Sequence, residues 1–219
     1  MYKSVVKRVL DFLLALAGTI VLSPLLLVLA AWVKLDSKGP VFFRQKRVGR
    51  DKRLFSILKF RSMYADTPHD VPTHLLQNPE AMITRSGRFL RRTSLDELPQ
   101  LFNILTGDMS FVGPRPELLL YTTQYTKAQE CILWVRPGIT DRSSIVYIAQ
   151  DEIVGTENPV ENFEKYILPE KNRLRVEYAL HQSFPLDVEL FFETIGSVFG
   201  KAKKMADEKH EQGAKEPQK

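Results

Sequence analysis

The sequence predicts a mostly α protein with a small β-hairpin, led by a membrane helix broken at Ser23-Pro24 and carrying amphipathic helices suited to a membrane surface. Three observations predict it. Val9 to Val33 is apolar except for Asp11, two short runs of aromatic and branched residues flank Gly49-Arg50-Asp51, and helical periodicity returns from Leu98 and again after Leu186.

A chain of 219 residues suffices for one domain with a core, or a domain plus an anchor. Its charge is uneven. Residues 1–61 hold 13 Lys/Arg against 3 Asp/Glu, the rest 18 against 23, so the N-terminal part faces an anion. The adjoining apolar run favours lipid headgroups over nucleic acid. A lone Cys131 permits no internal disulfide and lacks the companions of a thiolate metal site; it reads as an inert core residue of a protein facing the cytosol.

The apolar run of 25 residues would be about 37 Å long as a helix, against roughly 30 Å of hydrocarbon. Length therefore allows a full span. Pro24 removes a backbone hydrogen bond in mid-run, and the Ser23 hydroxyl can bond back to the carbonyl so freed. Basic residues flank both ends, Lys3, Lys7 and Arg8 before and Lys34, Lys38, Arg44, Lys46 and Arg47 after, which assigns both ends to the cytoplasm. A single span and a re-entrant helix bent at Ser23-Pro24 both stay open; the run is too long, and lacks the cleavage site, for a signal peptide.

Strands at 41–45 and 54–61 form the hairpin. By the period of two, Phe55, Ile57, Lys59 and Arg61 share a face. Arg44, Lys46, Arg47, Arg50, Lys52 and Arg53 suit lipid headgroups, whereas Lys59 and Arg61 stand beyond them as candidates for a substrate phosphate. Residues 65–82 hold three prolines and read as a loop in which His69 and His74, five apart, are solvated rather than metal ligands.

Ser94-Leu95-Asp96-Glu97 matches a capping box, and Leu98, Leu101, Phe102 and Leu105 fall at helical spacing until Gly107. A helix beginning at Ser94 or Asp96 is expected. The bland reading of the acids is that Glu97 closes the box and Asp96 meets the helix dipole. That does not account for Arg85, Arg88, Arg91 and Arg92 upstream or for the stiff turn Gly113-Pro114-Arg115-Pro116. Tyr166 to Leu180 reads as a polar helix, Leu190, Phe191, Thr194, Ile195 and Val198 as an amphipathic helix at the membrane interface, and 201–219 as a charged, disordered tail.

The stretches Lys7 to Phe12, Ser23-Pro24, Gly39 to Gly49, Leu58 to Met63, Thr84 to Glu117 and Val135 to Thr140 resemble, in order, the bacterial sugar transferases, the monotopic phosphoglycosyl transferases that act on polyprenol phosphate. The multi-span N-terminal extension of longer members is absent, so the minimal catalytic form is expected. The resemblance implies a re-entrant anchor over 1–36, a cytosolic catalytic domain over 37–200 at the bacterial inner membrane, and transfer of a sugar phosphate from a nucleotide diphosphosugar, usually a uridine one, to undecaprenyl phosphate. It implies Asp96 as nucleophile forming a covalent phosphosugar, Glu97 as acid/base or positioning group, and magnesium bridging Asp96 and the diphosphate. Lys59, Arg88 and Arg115 match basic family positions, and Asp187 matches an acid near the site; its bland reading is a helix N-terminal acid after Pro185. Asp141 to Ser144 departs from the commoner Gly-x-Ala-Gln continuation. Nothing here fixes the sugar or the oligomeric state, and a homodimer is compatible with it. The contrasting expectation is a non-catalytic lipid-binding protein in which the acids merely cap a helix.

Overall fold

The computed structural model describes residues 2–68, 76, 78–148 and 158–215. His69 and His74 lie outside them.

Helix α1 (Lys7–Asp36) contains the whole apolar run. It is long and apolar enough to cross a membrane. Pro24 cannot donate to the carbonyl of Ile20, and the Ser23 hydroxyl donates to that oxygen at 2.8 Å, the compensation the sequence predicts. One side of α1 is buried at Ala15, Leu26, Leu29 and Val33, while Val9, Leu13, Ile20, Val21, Leu27, Val28 and Leu35 remain exposed.

Strands β1 (Phe42–Val48) and β2 (Leu54–Phe60) pair antiparallel from Phe42↔Phe60 to Val48↔Leu54. The turn between them places Asp51 and Lys52 in the left-handed region. Helices α2 (Arg85–Thr93) and α3 (Gln100–Thr106) follow. Two clusters join them to α1: Phe55, Ile57, Leu101, Ile104 and Met109 around Ala15, and Phe60 and Leu90 around Leu26, Leu29 and Val33.

The expected capping box does not form. Ser94 has φ 57° and closes α2, Leu95–Glu97 is a short 3-10 turn, and α3 starts after Pro99. The capping hydroxyl is that of Thr84, which accepts from the Gly87 amide at 3.0 Å and starts a helix the sequence reading missed. Four arginines and a glycine hide the apolar face of α2. Gly87 is required there, because a Cβ would stand 1.9 Å from the carbonyl oxygen of Ser62.

A second, parallel pair joins β3 (Ser110–Val112) to β4 (Gly138–Thr140), with Ser110 opposite Gly138 and Val112 opposite Thr140. The short α4 (Leu119–Thr122) lies between them in sequence, and α5 (Arg142–Val146) leaves β4 directly. Then come α6 (Pro159–Asn162), the π-helical turn Phe163–Ile167, α7 (Leu168–His181) and α8 (Phe184–Lys215). The tail expected to be frayed or disordered from 201 continues α8 to Lys215, in keeping with its Ala, Lys, Glu and Met content. Leu190 of α8 is buried against Val112 and Tyr178, while Phe184, Val188, Phe192 and Ile195 are exposed along it.

Candidate active site

Asp96 and Glu97 sit in the 3-10 turn before α3, flanked by Leu95 and Leu98, which pack against the C-terminal half of α1. The hairpin is fixed to them through Asn103 of α3. Its side-chain amide donates to the Ser56 carbonyl at 2.8 Å and its oxygen accepts from the Leu58 amide at 2.9 Å, adding a rung to β2. That rung sets Lys59 beside the acids.

The two acids are treated differently by their surroundings. Lys59 donates to Glu97 Oε1 at 2.7 Å, and the Arg115 guanidinium grips both Glu97 oxygens, Nη1 to Oε2 at 3.1 Å and Nη2 to Oε1. Burial opposes Glu97's charge, but Arg115 and Lys59 overcome it and hold its carboxyl well below the usual carboxylate range. Asp96 is 8% exposed, and its nearest cation is Lys59 Nζ at 3.9 Å, beyond hydrogen-bond reach. Among the described residues its side chain has no hydrogen bond. Burial pushes its carboxyl up, with Lys59 pulling down and Glu97 adding to the rise. Glu97 is the fully paired acid and Asp96 the underpaired one.

Arg115 is presented by the loop after β3. Gly113 donates to Thr140 and Gly138 to Pro114. The strands approach so closely that a Cβ on Gly138 would stand 2.2 Å from the Gly113 nitrogen. Arg115 Nη1 also donates to the Ile139 carbonyl at 3.1 Å.

The structure thus gathers Asp96, Glu97, Lys59 and Arg115. It does not bring Arg61 to them. The buried Arg61 guanidinium donates to the carbonyls of Val33, Ser37 and Lys38 and to the Ser37 hydroxyl, closing the C-terminus of α1. The period of two is right, but β2 ends at Phe60 and Arg61 meets α1 instead. Arg88 is exposed on α2 and, among the described residues, has no side-chain hydrogen bond or ion pair; Arg91 is the α2 arginine that acts electrostatically on Asp96. Asp187 is buried at the other end of α1, bonded to Lys7 at 2.6 Å, to Tyr178 at 2.6 Å and to Tyr2. Its partners tie α8 to the start of the anchor rather than to Asp96. Arg47, expected among lipid headgroups, turns inward to Gln45 and Glu117.

Behind Arg115 lies a buried charged layer that sequence reasoning missed. Arg175 of α7 donates to Glu117 at 2.8 Å and lies 3.5 Å from Asp141, while Lys171, pushed down to about 8 by burial and by Arg175, stands over the rings of Tyr147 and Phe163. These residues are scattered over the sequence from 117 to 175, and no local spacing marks them.

The bacterial sugar transferase family model matches residues 2–201. A UDP-glucose:undecaprenyl-phosphate glucose-1-phosphate transferase of Xanthomonas campestris pv. campestris is 46% identical over 142 residues, 64% of this chain and 29% of that protein. One of the same name from Escherichia coli (strain K12) is 39% identical over 192 residues, 86% of this chain and 39% of that protein. A UDP-N-acetylgalactosamine-undecaprenyl-phosphate N-acetylgalactosaminephosphotransferase of Aeromonas hydrophila is 36% identical over 196 residues, 88% of this chain and 43% of that protein. The chain spans less than half the length of each. With the matched region covering nearly all of its residues, the chain belongs to the bacterial sugar transferase family.

Proposed function

We propose that this protein is a phosphoglycosyl transferase that moves a sugar 1-phosphate from a uridine diphosphosugar to undecaprenyl phosphate, with Asp96 as nucleophile. The observation that carries the reading is the unequal pairing of the two acids: Glu97 is saturated by Lys59 and Arg115, whereas Asp96, next to it, is buried with no side-chain hydrogen bond among the described residues. An ionisable group kept underpaired costs stability, which a helix cap or a lipid-binding surface does not require but a nucleophile does. The three relatives are named for different sugars, glucose and N-acetylgalactosamine, but share UDP and undecaprenyl phosphate in their names.

In this mechanism an Asp96 carboxylate oxygen attacks the β-phosphorus of the nucleotide sugar, and the bond from that phosphorus to the bridging oxygen breaks, releasing uridine monophosphate. A phosphate oxygen of undecaprenyl phosphate then attacks the phosphorus of the aspartyl phosphosugar. The bond to Asp96 breaks and the carboxylate is restored. Arg115 and Lys59 orient Glu97 and present positive charge to the diphosphate.

Among the described residues no three His, Cys, Asp or Glu side chains gather as a metal site. Asp96, a hard oxygen donor left without a hydrogen bond among the described residues, would hold magnesium there. Magnesium, when bound there, supplies charge that lets a carboxylate approach an anionic phosphorus.

The anchor reading is re-entrant, with the catalytic domain on the cytoplasmic face of the inner membrane. Near its start α1 is held by Arg8 bonds to Ile104 and Leu105 and near its end by Arg61, both to the same body. Attachment of both ends to one body supports an anchor that enters and leaves by the same leaflet. The reaction is tested by incubating the purified protein with magnesium, undecaprenyl phosphate and a panel of uridine diphosphosugars. Uridine monophosphate release with at least one sugar is expected; none across the panel would refute the reading.

A further inference from the structure

We infer that Asp141 is a positioning residue for Arg115, fixing the peptide from which the Arg115 guanidinium reaches Glu97; this rests on the reading of Arg115 as a diphosphate contact. Arg115 lies between Pro114 and Pro116, neither of which has an amide hydrogen. In that tripeptide the Arg115 N–H is the single backbone donor. Asp141 Oδ2 accepts it at 3.0 Å.

Asp141 is itself held from several sides. It is 1% exposed; Oδ1 accepts from the Ser144 amide at 2.6 Å and the Ser143 hydroxyl at 2.8 Å, and Oδ2 lies 3.5 Å from Arg175 Nε. Arg175 is anchored in turn on Glu117 and Asn172. The chain of contacts runs from α7 through Asp141 to the Arg115 backbone, and from the Arg115 side chain to Glu97 and Lys59. Capping α5 explains the Ser144 contact. It does not explain why the other oxygen is spent on a loop 26 residues earlier. The proline pair stiffens the loop, and Asp141 removes its remaining freedom, so the guanidinium meets Glu97 through both terminal nitrogens and leaves Asp96 underpaired.

Asp141→Asn keeps an acceptor for the α5 amide while removing the charge facing Arg175; Asp141→Gly serves where Asn does not fold. The affinity of UDP in the presence of magnesium, by calorimetry, and kcat are read in wild-type and Arg115→Gln backgrounds. We expect a loss of about 10- to 100-fold in the wild-type background and less than about 2-fold on Arg115→Gln, because a group acting through Arg115 has nothing left to position. An equal loss in both backgrounds, or none, overturns the inference. If the wild-type chain neither binds UDP nor turns over, the proposed function fails instead. Amide exchange over 112–118 then decides: faster exchange in Asp141→Asn supports positioning, and unchanged exchange overturns it.

Discussion

Asp96 and Glu97 are neighbours in sequence with opposite electrostatic fates, and the difference is one of partners rather than burial. Because the Asp96 carboxyl is pushed above its ordinary value, ionising it in the folded protein costs stability at any pH above the unfolded value of 3.8. Asp96→Asn removes that cost. We expect it to lower uridine monophosphate release by about 10³-fold or more while leaving the melting temperature unchanged or higher, at about 2–4 °C per kcal/mol in a chain of this size. For wild type, kcat/KM should fall as pH drops through the raised pKa of Asp96. Lys59 pulls that pKa down, so Lys59→Met should move the acidic limb to higher pH. A pH–rate profile with the limb unmoved would count against Asp96 as the group that must be ionised.

At the scale of elements, the two ends of α1 are held by side chains that the sequence suggests for other tasks. Arg61 closes the helix on backbone carbonyls, so Arg61→Gln should cost about 1–3 kcal/mol of stability and leave KM for the nucleotide sugar nearly unchanged. A large rise in KM in a fully folded variant would return Arg61 to the substrate. Ser23 supplies the hydrogen bond that Pro24 denies Ile20, which makes a break at this point inexpensive in lipid. Single cysteines at Ser4→Cys and Lys38→Cys should both label from the cytoplasmic side. Labelling of position 4 from the outside would refute the re-entrant anchor.

Over the whole molecule, one exposed apolar side of α1 and the exposed residues Phe184, Val188, Phe192 and Ile195 of α8 form apolar surface that we propose contacts the membrane independently of charge. The protein should therefore stay in the membrane fraction at about 1 M salt, where headgroup attraction is screened over roughly 3 Å, and leave it in detergent. With magnesium acting at Asp96 as proposed, its removal by a chelator should stop uridine monophosphate release without unfolding the chain, whose core clusters are apolar. A loss of helical circular dichroism on chelation would contradict this.

What the sequence determined by itself is local and periodic. The apolar run, Pro24 with Ser23, the hairpin, the periodicity of α3 and α8, and the acid pair among arginines can all be read without coordinates, since each depends on neighbours within a few residues. The α2 helix was hidden because its arginines obscure the apolar face, and the capping box failed because Glu97 found two cations from distant segments. Only the tertiary structure decided that Lys59 and Arg115 converge on Glu97 while Arg61 and Asp187 turn to the two ends of α1. Only it joined Asp141 and Arg175 to the back of Arg115. Electrostatic partners meet through space across separations of 18 to 180 residues, and residue spacing carries no record of that distance.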